Sequence, residues 1–211
     1  MSNAIGDLQE VALRNSHPDI VSLTMVLELR DLLQGGIWTT LLEVLKKTED
    51  HLNISSTLEC EGSSSPPAAG SPAVKSTAPC LGLTNLQTVL MVYTLVIGIL
   101  FFTYVGDSTS AQSRLKKLHE MLDGGAIDAF GESGIVKVDF PDSPLSSLEV
   151  QVMHPRLLLS LGFLVSSVAK RDPVGRKPKR KLFANEGVLT IERELREEPS
   201  CGSRKIPALK R

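Results

Sequence analysis

The residue types that carry chemistry are present in this chain but scattered. Four histidines, His17, His51, His119 and His154, fall in separate segments, and none has another His or Cys at metal-ligand spacing. Each is therefore expected to cap a helix or meet solvent. Three cysteines, Cys60, Cys80 and Cys201, are too few and too widely spaced for a four-ligand zinc site or a disulfide framework, so they read as reduced thiols. Asp128, Glu132, Asp139 and Asp142 offer weak hard-cation chemistry, but a solvated acidic loop accounts for them better. The glycines around Phe130 lack nucleotide-fingerprint spacing, and no nucleophile elbow or zinc-protease motif occurs. The expectation is a protein that is not an enzyme, with no cofactor, metal or small-molecule ligand.

One motif has a defined partner chemistry. Arg176, Lys177, Lys179, Arg180 and Lys181 place five positive charges around Pro178. Such a strip suits the acidic groove of a nuclear import receptor or a phosphate backbone. It lacks the interleaved aromatics of a single-strand binder. Charge is also divided along the chain. Residues 1–169 hold 10 basic against 18 acidic residues, and residues 170–211 hold 13 against 6. A basic end on an acidic body points to an anionic partner or a localisation signal.

The elements that must position these residues are mostly helical. His17-Pro18-Asp19 opens a helix in which Ile20, Leu23, Val26, Leu27 and Leu33 recur at helical spacing, and Gly35-Gly36 stops it. Trp38, Leu41, Leu42, Leu45 and Leu52 form the apolar face of a second. Together they give an N-terminal helical pair within 1–60. Residues 61–79, rich in Ser, Pro, Gly and Ala, bury too little to offset their ordering entropy and read as a flexible linker. A unit of apolar and closing helices is expected over 80–171, followed by a basic, largely disordered tail over 172–211. Arg114–Asp123 reads as a short amphipathic helix and Ile135-Val136-Lys137-Val138 as extended. From Ser143-Pro144 a closing helix is expected, kinked or broken at Pro155, and residues 188–198 suggest a short charged helix. Met1 to Glu10 has neither the basic start nor the apolar core of a secretory signal.

At the centre lies Leu86–Val105, within a stretch of 31 residues, Ser76–Gly106, that holds no charge. Twenty helical residues span about 30 Å, the thickness of a bilayer core. A helix apolar on every side belongs either in a protein core or in lipid, and composition does not choose between them. A lipid setting would make this a single-pass membrane protein with its Arg114, Lys116 and Lys117 side in the cytoplasm.

The order of features resembles the C-terminal regulatory region of fungal zinc-cluster transcription factors of the aflatoxin-regulator type. Val44–Glu49 through Leu58-Glu59-Cys60 looks like the helix leading to the first family cysteine. Cys80 with Leu90–Leu100 and Tyr104 looks like the second cysteine and the apolar helix that follows. Val136–Asp139 and Leu148–Lys170 look like the extended segment and closing helix. The resemblance spans residues 19–171. It departs from the family in the separation of Cys60 from Cys80, and the DNA-reading cluster of six cysteines has no counterpart among three. It implies an all-α regulatory domain of fungal secondary-metabolism type, a helical bundle around Leu86–Val105. Such a domain would be nuclear through 176–181 and would act through protein partners, transcription machinery or an import receptor, without sequence-specific DNA binding.

Overall fold

A computed structural model describes residues 2–55, 84–126, 134–140, 147–170 and 179–197. Within them the fold is all-α, with seven helices and one small antiparallel sheet. In chain order the elements are α1 (Ser2–Arg14), α2 (Pro18–Gly35), α3 (Trp38–His51), α4 (Asn85–Val105), α5 (Ser108–Asp123), β1 (Ile135–Asp139), β2 (Ser147–Gln151), α6 (Pro155–Ala169) and α7 (Lys179–Glu197).

The local signals explain most boundaries. Pro18 sits in the first turn of α2, where its missing N–H costs nothing, and Gly36 adopts φ 67° to close the helix, as the Gly35-Gly36 pair suggests. Asp19 does not cap α2, because the capping position is His17, which makes no side-chain cap bond. The Asp19 carboxylate instead accepts from Thr84 Oγ1 at 3.2 Å and Gln87 Nε2 at 2.8 Å. Thr84 and Gln87 form a reciprocal capping box at the start of α4, so one acidic side chain ties the entry of the apolar helix to α2.

Helix α4 is the centre of the bundle. It contacts α2, α3, α5, α6 and β1, and its buried residues lie all around its circumference, from Leu86 and Val89 to Ile99 and Phe101. Amphipathic helices on several sides each supply one apolar face, and α4 is apolar on all of them. At its C-terminal end Trp38 stacks on Tyr104 with centroids 4.4 Å apart, and Phe101 meets Phe102 edge-on at 5.1 Å.

Four elements differ from the sequence reading. Helix α1 was not expected, and it packs on α2, burying Ala12. Residues 147–151 are not the start of the closing helix but β2, paired with β1 in the register Ile135↔Gln151 to Asp139↔Ser147. Val136 and Val138 point into the core from alternate positions of β1, and a second strand satisfies backbone groups that β1 alone would leave open. Pro155 consequently begins α6 rather than kinking a helix already under way. The charged helix placed over 188–198 begins at Lys179. Residues 61–79 lie outside the described residues.

Candidate functional site

The most deliberate polar arrangement was not singled out from sequence. Arg114 on α5 and Glu49 on α3 meet beside the middle of α4, Nε to Oε1 and Nη2 to Oε2, both at 2.7 Å. This bidentate pair is almost sealed from solvent, with side chains only 10% and 3% exposed. Arg114 Nη1 also donates to the Ser110 carbonyl at 3.0 Å, and its Cζ lies 4.2 Å from the centre of the Phe102 ring.

Space for the pair comes from Gly98. A Cβ at that position would stand 2.9 Å from Arg114 Cδ and 3.1 Å from its Nε. The single glycine inside the apolar run is thus the notch through which a guanidinium crosses an otherwise greasy helix. Spacing held the clue: Glu49 falls four residues after Leu45 and three before Leu52, on the apolar stripe of α3, and Arg114 precedes Leu118 by four. A charge on each of two apolar faces, plus a glycine between them, was the legible signal.

The histidines behave as local fasteners. His154 caps α6, its Nδ1 accepting from the Arg156 N–H at 3.3 Å. His17 meets Phe140 edge-on, and His51 Nε2 lies 3.1 Å from Ser22 Oγ. His119 on α5 is the most connected. Its Nε2 is 2.7 Å from Ser166 Oγ on α6, and its ring lies 5.4 Å from that of Phe183 on α7. Ser166 donates its hydroxyl proton to the Gly162 carbonyl at 2.7 Å, so its oxygen is left to accept from the imidazole. That hydroxyl is fully buried, which places it out of reach of a substrate. Burial pushes the His119 pKa below its ordinary value; Asp123 opposes the shift and Lys170 adds to it. Tyr93, raised by burial, accepts at its hydroxyl from the Met153 N–H at 3.1 Å and fastens the approach to α6 onto α4.

The sequence-predicted site residues are only partly within view. Lys179, Arg180 and Lys181 form the exposed first turn of α7, so half of the basic strip is helical. Arg176, Lys177, Cys60 and Cys80 lie outside the described residues. Among the described residues no group of three metal-capable side chains converges. A shallow cleft of about 160 Å³ between α1 and α2, touching Ile5, Gln9, Glu28 and Asp31, is smaller than the roughly 300–1,000 Å³ of ordinary ligand pockets. No protein-family model, no curated protein and no solved structure matches the chain.

Proposed function

We propose that the protein is a non-catalytic helical regulatory module of the transcription-regulator kind known from fungal secondary metabolism. It works in the nucleus through protein partners, without a DNA-reading cluster among its three cysteines. The observation that carries this reading is the Glu49–Arg114 pair. Helices α3 and α5 lie on either side of α4 in the chain, yet they clasp each other beside Gly98, about 10 Å along the helix from its C-terminal end. A clasp at that depth supports burial of α4 by protein. The exposed basic turn at Lys179–Lys181 supports import-receptor recognition of the strip that begins at Arg176.

A second reading keeps one observation of its own. Helix α4 has 21 residues and a mean hydropathy of 2.2, long and apolar enough to cross a bilayer. In that setting α3 and α5 would leave α4 on opposite faces of the membrane. Their ion pair would then be broken, or its charges would sit in hydrocarbon, where each is expensive.

Fractionation and imaging separate the two. The proposed reading expects the full chain to wash off membranes in alkaline carbonate and a fluorescent fusion to collect in the nucleus. Replacing Arg176, Lys177, Lys179, Arg180 and Lys181 with alanine should then disperse the fusion. A protein that stays with membranes until detergent is added, or nuclear accumulation indifferent to the alanines, overturns it.

A further inference from the structure

The two-helix layer formed by α6 and α7 carries an apolar face that is exposed among the described residues. Phe183, Gly187 and Thr190 are the least exposed positions of α7, on one side of the helix, and Gly187 faces α6 across the seam: a Cβ there would lie 3.3 Å from Phe163 Cβ and 3.9 Å from the Ser160 carbonyl. Phe183 reaches His119, which bonds Ser166, so successive turns of α7 meet α6 in reverse order. The helices are antiparallel.

On each of them an apolar stripe follows the seam by one residue. Ala184, Val188 and Ile191 follow Phe183, Gly187 and Thr190, and Leu164 follows Phe163. One residue is a turn of about 100° in a right-handed helix. In two antiparallel helices facing each other, that turn swings both stripes to the same side. Leu157, Leu164 and Val168 of α6 therefore lie beside Val188, Ile191 and Leu195 of α7, and all six are exposed, Leu195 by 67% and Leu164 by 58%. Isolated exposed apolar residues need no explanation, but six on one face of two adjacent helices do.

We propose that this face binds a second copy of the same chain, α7 against α7 in antiparallel array about a two-fold axis. The charge along α7 is self-complementary in that arrangement alone. Residues 179–181 carry +3, and residues 186–197 hold four glutamates against two arginines, a net −2. Antiparallel pairing sets the basic start of each helix against the acidic end of the other, whereas parallel pairing stacks like on like. Side-chain size agrees. With the 4-3-4 spacing of Ala184, Val188, Ile191 and Leu195, the small Ala184 falls opposite Leu195 of the second copy, and Val188 opposite Ile191. A layer two helices wide and as long as α7 offers roughly 600 Å² in projection, the scale of one side of a standard interface.

Sedimentation equilibrium of the full chain tests this. The wild type should approach twice the mass of the chain as concentration rises, and high salt should weaken the association. Ile191→Glu should weaken it by about tenfold or more. Leu182→Glu is the control, because Leu182 precedes the seam by one residue and lies on the opposite flank; it should leave the dimer unchanged. Should Ile191→Glu lose helicity by circular dichroism, Val188→Ser takes its place. A chain that remains monomeric to about 100 µM overturns the proposal. So does a dimer that ignores the stripe variants, or one equally sensitive to Leu182→Glu.

Discussion

Helices α4 and α7 are close in length, 21 and 19 residues, and both carry more aliphatic side chains than solvent would favour. Their circumstances are opposite. Around α4 the apolar residues face every direction, and four helices and a strand take up almost all of them. Among the α7 residues whose burial is described, only Gly187 is buried, while Leu182, Val188, Leu189, Ile191 and Leu195 remain at the surface among charged neighbours. The number of apolar residues does not distinguish the two. Their angular distribution does: a helix apolar all round is a core waiting for cover, and one whose apolar stripes are divided by charge is a surface helix with an unfilled face.

The sharpest break of that contrast is a matched pair of aspartates. Leu95 lies at the middle of α4 and is fully buried, so Leu95→Asp strands a carboxylate with no partner or water. The cost exceeds what a small domain can spare, and the cooperative unfolding transition should disappear. Ile191→Asp on α7, at a site 42% exposed, should lower the unfolding free energy by no more than about 0.5 kcal/mol when urea titration is run dilute enough for the chain to be monomeric. Equal losses at the two positions would mean that α7 belongs to the core after all.

Next in size is the clasp that distinguishes the flank of α4. Glu49→Ala leaves the Arg114 guanidinium buried without its carboxylate, and Arg114→Ala does the reverse; each should cost about 3–5 kcal/mol in urea denaturation. Replacing both, Glu49→Leu with Arg114→Met, should recover most of that loss, since an apolar pair of similar volume carries no desolvation cost. The surface pair of Lys116 with Glu120, 3.9 Å apart and half exposed, gives the scale for comparison: its loss should cost about 0.5 kcal/mol. If the buried and surface pairs cost the same, water reaches Arg114, and the inference drawn from its burial fails with it.

How much of this was legible depends on the range of the cause. Helices α2, α3 and α5 announce themselves through local periodicity and through Pro18 and Gly36, and α4 through its unbroken apolar run, because a turn of helix is decided within a few residues. The two-stranded sheet does not. Ser147–Gln151 has helix-compatible residues, and it becomes a strand because β1, eight residues upstream, offers an edge to pair with. Helix α1 was hidden by its mixed pattern, in which only one narrow face, around Ala12, finds α2. The Glu49–Arg114 pair bridges 65 residues of sequence, and no local rule connects its halves. Gly98 was visible, but its meaning appears only when α3 and α5 are both beside it. Cysteines 60 and 80 and the first part of the basic strip fall outside the described residues, so the family-like features tied to them rest on sequence order.

The smallest effect tests the joint between the two regions. His119 stands on α5 within the bundle, bonds Ser166 on α6 and touches Phe183 on α7, so it is where the buried body meets the exposed layer. Its folded pKa is depressed, by burial first and by Lys170 second, against the opposing pull of Asp123. In the unfolded chain the imidazole takes up its proton near the ordinary value of 6.5, while the folded site resists. Below that pH the unfolded state therefore binds more protons, and stability must decline as pH falls through about 6.5, after a plateau above it. Urea midpoints between pH 7.5 and 5.5 should show this fall, and His119→Gln, which keeps an N–H for Ser166, should flatten it. If the joint acts locally, the same acidification should loosen α7 ahead of α4, read as earlier hydrogen exchange at Phe183–Thr190 than at Leu90–Ile99. Simultaneous exchange in both would make the layer and the bundle a single cooperative unit.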